Sequence, residues 1–129
     1  MAYARHVDTD AERGPEDLFA GFPRGLAVCR AVQEAVRTLG EATVDVTRSQ
    51  VAFRRRRGFA YVWRPGQYVR SDVPAVLSLA LPREVASGRF KEVVHPSAAV
   101  WMHHLELHDP AELDHEVLGW LAEAYAGAG

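Results

Sequence analysis

The spacing of apolar residues along the chain changes at Gly40. Before this glycine, apolar residues recur every three or four positions, the period of a helix with one buried face: Leu26, Cys29, Val32, Val36 and Leu39. Pro23 suits the first turn of such a helix, and Gly40 suits its end. The pattern predicts a helix over residues 23–39, with Cys29 as a small core residue.

After Gly40, apolar and polar residues alternate, which is the period of a β-strand. The stretches with this pattern are "TVDVTR", "SQVAF", "GFAYVW", "PAVLSLALP", "AVWMHHLEL" and the shorter "RFKEVVH". Short links that contain turn-forming residues join most of them, as expected of antiparallel strands. The sequence therefore predicts an antiparallel sheet of five or six strands.

Helices flank the predicted strands on both sides. A short helical turn opens at Pro15, and a closing helix is predicted to begin at Asp109 and Pro110, with Glu112 completing a capping box. The apolar face of the closing helix comprises Leu113, Val117, Leu118, Leu121 and Tyr125. The resulting fold class is α+β: a two-layer sandwich with N-terminal and C-terminal helices on one sheet face. Residues 1–14 are predicted to be frayed, and residues 15–129 to form a single domain.

The strand "GFAYVW" is apolar on both of its faces. Alternation places Phe59, Tyr61 and Trp63 on one face, with Ala60 and Val62 on the other. Two helices cover only one face of such a sheet, so a loop, a ligand or a second copy of the chain is expected on the other. We group the residues predicted to line a pocket on that face as Gln50, Tyr61, Trp63, His103 and His104.

Composition restricts the class of protein. The 129 residues, of which 48% are apolar and 25% charged, suit one soluble domain with a sizeable core. No apolar run approaches the roughly 20 residues that span a bilayer, and the polar N-terminus does not resemble a signal peptide. Together with the lone Cys29, these features predict a cytoplasmic protein that does not engage a membrane.

Charge is distributed in blocks. Residues 43–91 hold ten basic and three acidic residues, a net +7, whereas residues 92–129 hold seven acidic residues and no lysine or arginine, a net −7. Such blocks indicate either an anionic partner for the middle segment or two segments that neutralise each other in the fold.

Four consecutive arginines, Arg54, Arg55, Arg56 and Arg57, lie between two of the strands. With Gly58 at a positive φ, the run would form the turn of a hairpin. Together with Arg48 and Arg64, it predicts an anion- or nucleic-acid-binding surface, and nearby aromatic rings could stack on bases. The alternative is a solvated hairpin tip whose charge prevents edge-to-edge pairing.

Histidines cluster in the strand "VWMHHLELH". His104, Glu106 and His108 share one face, but steps of about 6.6–7 Å along a strand are awkward for one metal ion, so no metal or other cofactor is predicted. His103 falls on the opposite, apolar face, where a hydrogen-bonded core histidine is favoured over a general base. The chain has no motif of a known catalytic site.

Several stretches together resemble a known family. "LFAGFP" before a long helix, "TRSQVAFRRRRGFAYVW", "MHHLEL" and "ELDHEVLGWLAEAY" are similar to the bacterial domain of unknown function 5655, over roughly residues 17–126. The resemblance implies a small soluble domain that occurs alone or attached to others. It implies no activity and no functional residue.

Three functions fit these features. The first is a dimeric, non-enzymatic binding domain, a binding module that engages nucleic acid or a small anionic ligand through the basic hairpin and the uncovered sheet face. The second is a self-associating interaction or regulatory protein, a homodimer, whose basic middle pairs with the acidic helix of its own chain or of a second copy. The third is a hydrolase that uses His103 or His104 with Glu106.

Overall fold

A computed structural model describes residues 13–129, so the prediction of a frayed terminus lies, for residues 1–12, outside the described residues. The helices are α1 (Pro15–Leu18), α2 (Pro23–Leu39) and α3 (His115–Gly127). The strands are β1 (Thr43–Val46), β2 (Val51–Arg54), β3 (Gly58–Trp63), β4 (Ala75–Leu81), β5 (Glu92–Ser97) and β6 (Val100–Leu107). Within the described range, no helix is long and apolar enough to cross a bilayer.

The six strands form one antiparallel sheet in the order β1-β2-β3-β4-β6-β5. Helices α2 and α3 contact each other and pack on the same side of the sheet. This arrangement confirms the predicted α+β sandwich with helices from both ends of the chain. One face of the sheet is therefore covered by helices, and we call the opposite side the uncovered face.

The core lies between the helices and the covered face. Alternate residues of the central strands point into it, and α2 and α3 each contribute a stripe of small and branched side chains. The buried residues of these stripes are Val28, Cys29, Val32 and Val36 in α2 and Val117, Trp120, Leu121 and Ala124 in α3. The sheet contributes Val51, Phe53, Ala60, Val62, Leu77, Leu79, Leu105 and Leu107.

Helix α2 begins and ends where the sequence predicted, at Pro23 and before Gly40. Gly40 has a φ of 147°, a region that favours glycine, and a Cβ there would collide with the Tyr125 hydroxyl. That hydroxyl donates a hydrogen bond of 3.0 Å to the backbone oxygen of Glu41. The end of α2 is thereby joined to α3.

The predicted start of the last helix is wrong by several residues. Asp109 caps a 3₁₀ turn over Pro110–Glu112, and Leu113 then leaves helical geometry, with φ −77° and ψ 66°. The helix starts at His115, and Asp114 is its N-cap because Asp114 Oδ1 accepts a hydrogen bond from the Val117 N–H at 3.1 Å. Asp109 and Asp114 are thus two successive caps. The sequence pattern did not show that the first caps only a 3₁₀ turn and that the second caps the helix.

A β-bulge changes the direction of Phe59. Phe53 pairs with Ala60 and Arg54 pairs with Gly58, which leaves Phe59 as an extra residue in β3. Its ring is buried and packs edge-on against Tyr125 with centroids 5.4 Å apart. The prediction that Phe59 shares a face with Tyr61 and Trp63 is therefore wrong.

The predicted positive φ of Gly58 is also wrong. Among residues 13–129, only Gly21 and Gly40 adopt a positive φ. A Cβ on Gly58 would nevertheless meet the Tyr61 hydroxyl, so a larger residue at this position would require the Tyr61 side chain to move. The constraint is the close approach of a side chain and not the backbone conformation.

We expect the Cys29 thiol to react with a thiol reagent at least about 100-fold more slowly in the folded protein than in guanidinium. Cys29 is fully buried, and burial raises the pKa of its thiol to about 12, so the reactive thiolate is scarce. Absorbance of the released chromophore gives both rates. Equal rates in the folded and unfolded protein would contradict the observed packing of α2.

Candidate binding site on the uncovered sheet face

A row of polar side chains crosses the uncovered face. Strand register places Tyr61 of β3 beside Ser78 of β4, Ser78 beside His104 of β6, and His104 beside Glu92 of β5. Residues directly opposite each other in an antiparallel sheet have neighbouring side chains on the same face. The pairing of non-consecutive strands thus assembles a polar row from four separate parts of the chain.

A pocket of about 370 Å³ opens above part of this row. Its lining combines aromatic rings, a thioether and short polar groups: Ser49, Gln50, Tyr61, Trp63, Tyr68, Ser78, Met102 and His104. Small-molecule sites commonly have this volume and this mixture of apolar walls with a few polar groups. No side chain in the lining carries a permanent charge.

Two hydrogen bonds link three pocket residues in a chain. The Trp63 indole Nε1–H donates to Ser78 Oγ at 2.9 Å, and Ser78 Oγ lies 2.6 Å from His104 Nδ1. An indole N–H can only donate, so the buried Ser78 hydroxyl accepts from it; we assign the Ser78 proton to the bond with Nδ1, because it has no other acceptor among the described residues. The imidazole then carries its proton on Nε2, which has no hydrogen-bond partner among the described residues.

The electrostatic surroundings favour the neutral form of His104. Burial lowers the pKa of His104, and the neighbouring His103 lowers it further, while the negative charge of Glu92 partly opposes both effects. The neutral imidazole matches the hydrogen bond from Ser78, because a protonated ring would present a donor to that hydroxyl.

His103 was grouped with the pocket residues, and that placement is wrong. It lies on the covered face, is fully buried, and packs against Phe90 with centroids 4.7 Å apart. Its Nδ1–H donates to the Trp101 backbone oxygen at 2.9 Å, and its Nε2 accepts from the Val85 N–H at 3.0 Å. Both ring nitrogens are therefore used within the fold, because alternation along β6 sends adjacent histidines to opposite faces.

The loop after β3 forms one wall of the pocket. Tyr68 of this loop lies edge-on to Trp63, with centroids 6.0 Å apart. The Gln67 side chain anchors the loop by donating to the backbone oxygens of Ser49 and Arg64, each at 3.0 Å. The side-chain amide of Gln50 forms no hydrogen bond with another described residue, so its N–H donors and its oxygen acceptor are available to a ligand in the pocket.

Two of the four consecutive arginines hold the end of α3. The Arg57 guanidinium donates to the Gly127 oxygen at 2.6 Å, and the Arg55 guanidinium donates to the Tyr125 oxygen at 3.0 Å. The backbone N–H groups of Arg56 and Arg57 also donate to the Ala128 oxygen. Cations and N–H donors at a helix C-terminus satisfy its last carbonyls and complement its dipole. We call these contacts the arginine clasp.

The other predicted basic residues do not form one patch with the clasp. Arg54 and Arg56 have exposed side chains at the hairpin, and Arg48 is exposed in the turn between β1 and β2. Arg64 stacks on the Phe22 ring, with its guanidinium carbon 3.8 Å from the ring centroid. Strand direction separates Arg48 and Arg64 from the hairpin because they lie at the opposite ends of β2 and β3.

The basic middle segment pairs with the acidic end inside one chain. Arg83 binds Glu123 through two hydrogen bonds of 2.9 Å. Arg89 contacts both Asp114 at 3.0 Å and Glu116 at 2.9 Å, and its hydrogen bond lowers the pKa of the Asp114 carboxyl. These ion pairs neutralise part of the basic and acidic segments within one chain, without a partner molecule.

No three histidine, cysteine or acidic side chains of residues 13–129 lie close enough together to hold a metal ion. A second, larger groove of about 940 Å³ lies between the end of α2, the start of β1 and the arginine hairpin. Its lining includes Arg37, whose guanidinium is already bound to Glu34. The uncovered-face pocket has the more convergent set of polar groups, so we take it as the candidate site.

The sequence profile of one protein family, described as "Domain of unknown function (DUF5655)", matches residues 16–127. The chain belongs to this family. No curated protein and no solved structure matched the chain. The family's description assigns no activity to this DUF5655 domain.

Sequence reasoning missed four residues that line the pocket of this DUF5655 domain: Ser49, Tyr68, Ser78 and Met102. A signal for Ser78 existed, because it is the only polar residue in the strand "AVLSLAL" and falls on the same face as Val76. The signal for Tyr68 was absent, because its position depends on how an irregular loop folds back.

We expect Arg57→Ala to lower the free energy of unfolding by about 1 kcal/mol, because it removes a charged donor from the end of α3. Arg56→Ala is the matched control: its backbone N–H remains in the clasp, so a change below about 0.5 kcal/mol is expected. Urea denaturation followed by circular dichroism measures both variants. Equal effects would show that the side-chain contact of Arg57 does not stabilise α3.

Proposed function

We propose that this chain is a non-enzymatic binding domain and that the pocket on the uncovered face holds a small planar ligand. The observation that carries the proposal is the combination of aromatic walls with a fixed chain of hydrogen bonds from Trp63 through Ser78 to His104. Aromatic side chains bind flat rings by stacking, and a few oriented polar groups select among them.

The lining supports a ligand whose buried part is uncharged. The pocket contains no lysine, arginine or carboxylate, and burial favours a neutral His104. A buried charge on the ligand would lack a partner of opposite sign, which is costly. An anionic group is therefore expected only on a part of the ligand that extends beyond the pocket.

The position of Ser78 favours binding over hydrolysis. Its side chain is almost fully buried, and the indole of Trp63 donates to the oxygen that would attack a substrate. A catalytic serine needs an oxygen that its substrate can reach, and the Ser78 oxygen is enclosed. Ser78 instead holds His104 in one orientation.

We expect planar heteroaromatic compounds to raise the melting temperature of the wild-type protein, and Trp63→Ala to weaken their binding about 10- to 30-fold. Tyr68→Ala, at an exposed loop position, should weaken binding less. Trp101→Ala is the matched control because Trp101 stacks on His95 outside the pocket. Differential scanning fluorimetry with a panel of nucleosides, indole and benzimidazole, followed by calorimetry, provides the measurement.

An equal loss in the Trp63→Ala and Trp101→Ala variants would place binding elsewhere on the molecule. Absence of binding for the whole panel to the wild-type protein would contradict the proposal. Circular dichroism of each variant separates a lost contact from a lost fold.

Exposed arginines favour a second candidate function, the binding of nucleic acid. Arg48, Arg54 and Arg56 are exposed, and no carboxylate of the described residues forms an ion pair with them. Such cations attract phosphates and release condensed counterions. The clasp restricts this surface, since Arg55 and Arg57 already bind the end of α3.

If this second function holds, a single-stranded oligonucleotide binds with an affinity that falls steeply with salt, and Arg54→Glu with Arg56→Glu reduces both the affinity and the salt slope. Arg30→Glu with Arg70→Glu makes the same change in net charge outside the hairpin. Fluorescence anisotropy of a labelled oligonucleotide at two salt concentrations compares the two double variants with the wild-type protein. Equal losses in the two double variants would indicate a general charge effect and not a binding surface.

A further inference from the structure

His104 presents a fixed donor to the pocket. Ser78 occupies its Nδ1 from the sheet side, so the protonated Nε2 is the ring nitrogen that a ligand can use. The hydrogen bond from Trp63 prevents Ser78 from reversing this arrangement without leaving its own proton unpaired in a buried position. A ligand of this pocket therefore needs an acceptor, such as a ring nitrogen or a carbonyl oxygen, opposite His104.

Gln50 presents a donor and an acceptor side by side. Its primary amide forms no hydrogen bond with another described residue and lies in the same pocket lining as His104. A planar amide pairs in a bidentate manner with a ring edge that carries an adjacent donor and acceptor, as nucleobases do. Ser49, next to Gln50, adds a hydroxyl that lies 3.3 Å from Thr47 Oγ1 and retains capacity to accept a hydrogen bond.

The walls provide faces for a flat ring. Tyr61, Trp63 and Tyr68 line the pocket together with the polarizable side chain of Met102. Stacking on aromatic side chains is the usual way in which proteins hold an unpaired base, since every base has a π-face. A volume of about 370 Å³ is in the range of sites for small organic molecules and admits one base.

We propose that the ligand of this pocket is a nucleobase, stacked on Trp63 and held at its edge by Gln50 and His104. This inference rests on the proposed binding function and names its ligand class. The base could come from a free nucleoside or from a nucleotide in a single strand, because the pocket chemistry is the same for both. The exposed Arg54 and Arg56 would contribute only if further phosphates extend from the bound base.

Calorimetry with adenosine, guanosine, cytidine and uridine, and with indole as a flat ring that lacks an acceptor, tests the ligand class. At least one nucleoside should bind ten-fold or more tightly than indole. Gln50→Leu and His104→Leu should each weaken nucleoside binding about ten-fold or more, and should weaken indole binding by a clearly smaller factor. Arg70→Leu is the control, because Arg70 is exposed and lies outside the lining.

Indole binding as tightly as every nucleoside would overturn the nucleobase inference and leave the proposed binding function standing. Binding of neither class would overturn both. A five-nucleotide single strand distinguishes the two sources of the base: tighter binding that depends on salt and on Arg54 and Arg56 indicates a strand, whereas affinity equal to that of the nucleoside indicates a free ligand.

Ser78 is a positioning residue in this account, and a spectroscopic readout tests its role. The ¹⁵N shifts of His104 in the free protein should show the proton on Nε2, and Ser78→Ala should change the balance between the two tautomers. A wild-type protein with the proton on Nδ1 would contradict the assigned donor. This readout does not depend on any ligand.

Discussion

Two helices cover only one face of the six-stranded sheet, and the candidate function of the molecule depends on that geometric limit. Because α2 and α3 pack on the same side, no helix covers the polar and aromatic side chains of the uncovered face. Their hydrogen-bonding groups need partners within the sheet, in a loop or in a ligand. Trp63, Ser78 and His104 provide such partners for one another through two hydrogen bonds. The uncovered face forms a pocket whose Gln50 amide and His104 Nε2 are left for a ligand.

Two of the four consecutive arginines stabilise the fold and are not free to bind a ligand. Arg55 and Arg57 satisfy carbonyls at the end of α3, and Arg55 also stacks on Tyr125 with its guanidinium carbon 4.1 Å from the ring centroid. The hairpin, α3 and the end of α2 thereby converge on Tyr125, whose hydroxyl binds the Glu41 oxygen. Basic charge in the middle of the chain is in this way directed at the C-terminal end of the last helix, whose last carbonyls carry a partial negative charge.

Local periodicity predicted the elements, the fold class and the faces of β6. The alternation that separates His103 from His104 is a property of any strand, and the structure follows it. Periodicity could not predict the bulge that turns Phe59 into the core, because the bulge arises from pairing with β2. Nor could it predict that Ser78 would lie between Trp63 and His104, since strand order brings together residues far apart in the chain. The candidate site was therefore only partly predictable: Tyr61 and Trp63 were recognisable, whereas Tyr68 and the hydrogen bonds of Ser78 were not.

The most direct test of the binding site is the set of three indole N–H signals in a ¹H–¹⁵N spectrum, recorded during titration with a planar ligand that stabilises the protein. The chain has three tryptophans, and only Trp63 lines the pocket; Trp101 stacks on His95, and Trp120 packs on Phe90 in the core. We expect the Trp63 signal to shift as the ligand binds, while the signals of Trp101 and Trp120 stay in place. A shift of Trp101 or Trp120 without one of Trp63 would show that the ligand binds elsewhere and would contradict the assignment of the uncovered face as the functional site.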